Sequence, residues 1–151
     1  MVTSALAVAH IGLLAVWLGS MLYSLLIVQP RAARFFAADD DTLEEFLTVL
    51  GSGNRRPVVG IVVALFATGG ALAAVETNTA SEVLFAVEGM LLAVAAFVFA
   101  RVSWRLWPRR VFALPEERGG HRAALHRHAL LMVGLVGAAF VVAVVAVTLP
   151  G

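Results

Sequence analysis

Four long apolar stretches alternate with short polar segments along this chain of 151 residues. Each stretch holds about as many apolar residues as an α-helix needs to cross a bilayer. We expect Pro30 to close the first helix, Pro57 to open the second and Pro150 to close the fourth. The pattern predicts an all-α integral membrane protein, a four-helix bundle forming one domain over residues 1–151, with spans at about residues 4–29, 58–75, 83–102 and 129–149.

The basic residues predict the orientation of these spans. All eleven are arginines. They lie in two segments that follow the first and third spans, at positions 31, 34, 55 and 56 and at positions 101, 105, 109, 110, 118, 122 and 127. The connection from Glu76 to Glu82 carries none. The positive-inside rule then places both arginine segments in the cytoplasm and both termini outside, in a bacterial-type inner membrane.

The first arginine segment contains a pattern typical of a short amphipathic helix. Asp41 and Glu44 have the spacing of a capping box. Apolar residues recur at helical spacing after it, and Gly51 is suited to end the helix; the apolar positions are Leu43, Phe46, Leu47 and Leu50. The sequence predicts a helix on the cytoplasmic interface, either a connector or a docking element, followed by a flexible turn up to Arg56.

Composition narrows the classes of function. Hydrophobic residues make up 61% of the chain, and cysteine is absent, which excludes disulfides and thiolate chemistry. Net charge is +1, and the arginines are explained by topology, so we expect no nucleic-acid partner. The expected partners are the lipid bilayer and other membrane subunits or further copies of this chain.

Small residues spaced four apart favour close helix packing. Examples are Ala15 with Gly19 and Gly134 with Ala138. They are compatible with a compact bundle and with a larger complex. No convincing internal repeat stands out, although the chain reads as two consecutive helical hairpins.

Two ionisable residues, His10 and Glu88, lie inside predicted spans. Burying a charged group in a bilayer costs free energy, so such residues usually have a structural or functional role. Both lie at a similar depth in the outer half. His10 shares a helix face with Trp17, and Glu88 shares one with Ser81. Faces turned inward would build an outward-open polar pocket in which His10 binds a metal and Glu88 ligates it or orients the imidazole. The alternatives are a structural His10–Glu88 pair or no contact between them.

Haem is a further candidate cofactor. His121, His126 and His128 stand at the cytoplasmic side, on the order of 25 Å from His10 along the helix rise, which is too far for one bis-histidine haem in one chain. A haem held by one histidine, or shared between chains, remains open. The spacing of the three does not suit one metal ion, so we expect a solvated helix start.

One passage resembles a known family. Residues 9–20, AHIGLLAVWLGS, followed by an apolar run to Pro30, are similar to the opening of copper-resistance protein D-like membrane proteins. Phe46 through Arg56 and the second span resemble the next passage of that family, so the likeness covers about the first half of the chain. It implies copper handling across the inner membrane, with His10 as the matching ligand.

Three functions follow as hypotheses. The first is a copper-resistance-D-like inner-membrane protein that binds a metal such as copper, or a redox cofactor, through His10 and Glu88. The second is a non-catalytic accessory subunit of a larger membrane complex. The third is a haem-dependent membrane oxidoreductase. No nucleophile–base pair is visible, which favours a protein that is not an enzyme.

Overall fold

All regular structure in the described part of the chain is helical. The computed structural model describes residues 2–75 and 78–149, except the side chains of Val2 and Pro115; Glu76 and Pro150 lie outside that part. The helices are α1 Val2–Tyr23, α2 Gln29–Phe35, α3 Asp40–Gly53, α4 Arg55–Val75, α5 Thr79–Arg101, α6 Trp107–Val111 and α7 Arg118–Thr148. A 3₁₀ turn, Pro115–Glu117, precedes α7.

Four helical stretches are long and apolar enough to cross a membrane, which agrees with the predicted four-span pattern. They run over Thr3–Phe35, Asp40–Val75, Thr79–Val111 and Arg118–Thr148. Their apolar parts lie in α1, α4, α5 and α7. The charged helix α3 and the start of α7 extend beyond those apolar parts.

Pro30 does not close the first helix, contrary to the sequence prediction. A π-helical turn, Ser24–Val28, leads directly into α2, which contains the proline near its first residue. Gln29 donates its N–H to the carbonyl of Ser24, five residues back. The wider π turn lets the chain stay helical where a proline ring would clash with the carbonyl four residues earlier. The third span continues past residue 102 in the same way, through π turn Val102–Leu106 and Pro108.

The four long helices pack antiparallel around one core. α5 packs mainly on α7, and α1 packs on α4 and α7. The Ser81 hydroxyl donates to the carbonyl of Ala146, which joins the start of α5 to the end of α7. Arg55, at the start of α4, donates to the carbonyl of Ser103 near the end of the third span. We call the end that contains α2, α3 and α6 the arginine end, and the other the far end.

The core consists of two apolar clusters. The larger is centred on Leu14, Trp17, Leu65, Val136 and Ala139, which are almost fully buried. The smaller lies nearer the far end and is formed by Leu72, Phe85 and Ala146. In a bilayer, apolar contact alone would give the helices little reason to associate, and close packing and polar contacts between helices would have to hold the bundle together.

The two hairpins share a repeated pattern that is hard to see in the sequence. Pro30 and Pro108 are 78 positions apart, and so are His10 and Glu88. Leu14 and Leu92 have the same spacing. Both leucines are buried, as are His10 and Glu88. The π turns Ser24–Val28 and Val102–Leu106 have that spacing too. His10 and Glu88 therefore stand at the same distance before the π turn of their own span.

Helix α3 confirms the predicted amphipathic helix but with different ends. Asp39, not Asp41, is the N-cap, and its side chain accepts the N–H of Thr42 at 3.0 Å. Gly51 lies within α3, which continues to Gly53. Asn54 alone separates α3 from α4, and it keeps helical backbone angles. The predicted flexible turn is therefore a nearly continuous helix.

The small-residue pairs chosen from the sequence do not form the contacts between helices. Ala15, Gly19, Gly134 and Ala138 are all exposed on the outside of the bundle. Helices instead meet through larger side chains and single buried alanines, such as Ala95. Such pairs occur by chance in an alanine-rich chain, and spacing alone does not identify the buried face.

Candidate functional site

His10 and Glu88 meet at the centre of the bundle. The Nε2 atom of His10 lies 2.8 Å from Oε1 of Glu88. His10 is 0% exposed and Glu88 is 2% exposed. The contact joins α1 to α5, which are diagonal to each other in the bundle. The sequence-based alternative in which the two residues make no contact is therefore wrong.

Thr68, which is partly exposed, completes a hydrogen-bonded triad with this pair. Its hydroxyl lies 2.7 Å from Nδ1 of His10 and also 2.7 Å from the carbonyl of Ala64. Thr68 and Glu88 thus each contact one ring nitrogen of His10, so both polar atoms of the imidazole have a hydrogen-bond partner. Such pairing offsets the cost of burying polar groups.

His10 and Glu88 are enclosed by their neighbours, whereas Thr68 is partly exposed. Gly69 packs against the imidazole, and a Cβ built on that glycine would lie 3.1 Å from Cε1 of His10. The smaller apolar cluster, with Leu72 and Phe85, lies toward the far end, and Leu14 and Trp17 lie toward the arginine end. The predicted outward-open pocket is therefore absent around these residues, because apolar side chains fill the space above the pair.

A metal ion bound at the His10–Glu88 pair would have few protein ligands. Within residues 2–75 and 78–149, no three of His, Asp and Glu come close enough to share a metal ion. The other histidines lie elsewhere. His128 contacts the carbonyl of Ala124 through Nδ1, within α7. His126 lies in the half of the bundle nearer the arginine end, which we call the arginine half. Metal binding through His10 and Glu88 stays a prediction.

A large cavity, which was not predicted from the sequence, occupies the arginine half of the bundle. Its volume is about 760 Å³. Apolar side chains form most of its wall, among them Trp17, Leu25, Ile61, Phe99 and Met132. Trp17 lies on the same buried face of α1 as His10, so it separates the cavity from the triad. The one available signal was that Met21 and Ser24 share the face of His10; both line the cavity.

Helix α3 covers the cavity at the arginine end. Leu43, Leu47 and Leu50 line the cavity from this helix. Gly51 lies flat against the indole of Trp107, because a Cβ there would come within 3 Å of three ring atoms. The apolar face predicted for α3 therefore closes the end of the cavity.

Ion pairs hold α3 against α6 and α7. Glu44 accepts from Nε of Arg110 at 2.9 Å and also pairs with Arg122. Arg122 reaches Asp40 as well, and Arg118 pairs with Asp41 at 2.7 Å. We call this set the Glu44 cluster; its members are Asp40, Asp41, Glu44, Arg110, Arg118 and Arg122. Orientation in the membrane was the only role that the sequence suggested for these arginines.

Two carboxylates of the Glu44 cluster, Asp40 and Glu44, are stabilised in their charged form. Hydrogen bonding to Arg122 holds the pKa of Asp40 below its usual range. Burial alone would raise the pKa of Glu44, but hydrogen bonds and charge from Arg110 and Arg122 outweigh it, so that pKa is also lowered. A carboxyl with a lowered folded-state pKa stabilises the fold above its ordinary pKa. That contribution is lost as the pH falls below about 4.

We expect Glu44→Gln to loosen α3. Two arginines would lose their shared carboxylate, at a cost of about 1–2 kcal/mol, so the amides of α3 should exchange roughly five to thirty times faster. Hydrogen–deuterium exchange measures this directly. Glu45→Gln is the matched control, since Glu45 is exposed and belongs to no ion pair in the described part of the chain. Equal exchange in both variants would contradict a role for the Glu44 cluster in holding α3.

Comparison with known proteins adds no relatives: no family model, curated protein or solved structure matches this chain. The resemblance of residues 9–30 to copper-resistance protein D-like proteins stays a prediction. The triad and the cavity are therefore the features that bear on function.

Proposed function

We propose that this chain is a non-catalytic membrane protein that binds a small, mostly apolar molecule between its helices. The main observation that supports this proposal is the cavity of about 760 Å³ in the arginine half. Ligand sites of small molecules are largely apolar clefts of about 300–1,000 Å³ with a few polar groups. The cavity has that size and that kind of wall.

We place the cavity in the cytoplasmic half of a bacterial-type inner membrane. All eleven basic residues belong to the arginine end or its flanks, and the positive-inside rule assigns that end to the cytoplasm. Both termini are then outside. In this orientation a ligand reaches the cavity from the inner leaflet or from the cytoplasm, past α3.

A metal site at His10 and Glu88 is the second candidate. In its favour, Nδ1 of His10 contacts the Thr68 hydroxyl while Nε2 faces a carboxylate oxygen, and a hydrogen bond to one ring nitrogen is how outer partners orient metal-binding histidines. A metal ion would have to break the contact between Nε2 and the carboxylate, and it would have only these two buried protein ligands. The cavity needs no such rearrangement, and for that reason we prefer it.

Native mass spectrometry of gently purified protein tests the proposal. We expect a retained small molecule in the wild type and its loss in Ala129→Phe, because Ala129 lines the cavity and the phenyl ring would fill part of it. Ala138→Phe is the matched control on the same helix, at a site exposed on the outside of the bundle. A bare protein mass in the wild type, or equal retention in both variants, would contradict the proposal.

The same spectrum tests the second candidate. A metal at the triad adds the mass of one metal ion, and that mass should disappear in His10→Ala while the cavity ligand stays. Copper there would support the family resemblance. A wild-type mass without any metal, obtained without chelators, would count against the metal site.

A further inference from the structure

Two residues that line the cavity each carry a buried N–H donor that makes no hydrogen bond with any described residue. In the described part of the chain, two buried side-chain polar atoms lack a hydrogen-bond partner: Nε1 of Trp107 and Nη2 of Arg110. Both are donors, and both residues line the cavity. Nη2 lies 2.9 Å from a Glu44 oxygen, but at an angle at which it donates no hydrogen bond. Buried donors without partners are costly, so a bound molecule that brings acceptors is favoured here.

Charge around the cavity also points to an anion. Three arginines line the cavity, Arg55, Arg110 and Arg122, and no Asp or Glu among the described residues lines it. Arg110 and Arg122 belong to the Glu44 cluster, in which three arginines face three carboxylates. Arg55 is not part of the Glu44 cluster, and no carboxylate among the described residues lies within ion-pair distance of it.

Arg55 is held in place without being neutralised. Its Nη2 atom donates to the carbonyl of Ser103 at 2.6 Å, and its guanidinium lies 5.2 Å from the centroid of the Trp104 ring. Both contacts fix the side chain but leave its charge uncompensated. Ser103 lies one helical turn from Trp107, and Arg110 stacks on the Trp107 ring at 5.2 Å. The three donors therefore lie along one edge of the cavity.

From this arrangement we infer that the cavity ligand is an anionic amphiphile. Its carboxylate or phosphate group meets Arg55, Trp107 and Arg110 at the arginine end, and its apolar chain extends toward Trp17. This inference rests on the proposed function, that the cavity is a binding site. It adds the chemical class of the ligand and the residue that selects it.

Binding of two matched probes tests the ligand class. The protein is placed in nanodiscs of phosphatidylcholine, and binding of palmitate is compared with binding of its methyl ester, which has the same chain without the charge. We expect the wild type to prefer palmitate by about tenfold or more, as for a hydrogen bond to a charged group. Arg55→Gln should remove most of that preference.

Two further variants separate charge from folding. Arg55→Lys keeps the positive charge and should keep a preference for palmitate, even if Arg55→Gln folds poorly. Arg56→Gln is the matched control, because Arg56 is exposed and does not line the cavity; it should bind as the wild type does. A preference that survives Arg55→Gln, or that disappears equally in Arg55→Lys, would overturn the inference.

The outcomes distinguish this inference from the proposed function. Equal binding of both probes, blocked by Ala129→Phe, would overturn the anionic class and leave the cavity as a binding site. Binding of neither probe, together with a bare native mass, would remove both. Adding phosphatidylglycerol to the nanodiscs identifies the source: competition with palmitate supports an anionic membrane lipid, and no competition supports a single-chain anion. Either result is consistent with the anionic class.

Discussion

Replacing Glu88 with leucine is expected to destabilise the bundle strongly, because it breaks the buried pair with His10. The change leaves His10 with its Nε2 atom unpaired, in a place that is 0% exposed. Breaking a buried ion pair costs about 3–5 kcal/mol in soluble proteins. Unfolded helices in a bilayer find other polar partners, so we expect a value near the lower limit, about 3 kcal/mol. His10→Leu should have a similar effect.

A double-mutant cycle measures the coupling. Unfolding free energies of both single variants and of the double variant can be obtained by SDS titration in micelles, followed by circular dichroism. We expect the double variant to be less destabilised than the sum of the singles, since two leucines leave no unpaired polar group. Additive effects would contradict the contact between His10 and Glu88.

Gly51→Ala is also expected to destabilise the protein, by forcing Trp107 out of place. A Cβ on Gly51 would come within 3 Å of three atoms of the indole ring, closer than carbon atoms can approach. The indole cannot rotate away freely, because Arg110 stacks on its ring. Overpacking of this kind costs about 1–3 kcal/mol, and the higher helix propensity of alanine returns at most about 1 kcal/mol.

Gly53→Ala, in the same helix, is expected to have the opposite effect on stability. No atom lies within 4 Å of the Cβ position of Gly53, so alanine there should stabilise α3 by up to about 1 kcal/mol. Thermal unfolding of both variants measures the difference, and the tryptophan fluorescence of the protein, to which Trp107 contributes, should change only in Gly51→Ala. A stabilised Gly51→Ala protein would contradict the packing of Gly51 on Trp107.

The helices and the similar depth of His10 and Glu88 could be predicted from the sequence because both depend on strong, local signals. Apolar runs of membrane length determine the four spans, and an ionisable group within such a run must face the interior. His10 and Glu88 could therefore be assigned a similar depth and inward faces from the sequence alone. Their direct contact could not be derived from the sequence, because it depends on which helices lie opposite each other in the bundle.

The features that the sequence did not predict depend on how helices meet. Proline usually ends a helix, and nothing in the sequence before Pro30 shows that a π turn will accommodate it. The cavity exists because four helices leave space between Trp17 and α3, which is a property of their arrangement. Arg110 and Arg122 fit the topology rule fully, so the sequence offered no reason to pair them with Glu44.

The most direct test of the cavity as a binding site uses photo-reactive methionine in place of methionine in cells that produce this chain. Met21 and Met132 line the cavity, whereas Met90 is 70% exposed on the outside of the bundle. Irradiation in the native membrane followed by mass spectrometry identifies what each position touches. We predict that Met21 and Met132 capture one selected molecule, while Met90 captures the bulk lipid mixture. The same lipid mixture at all three positions, or no capture at Met21 and Met132, would contradict a selective binding site in the cavity.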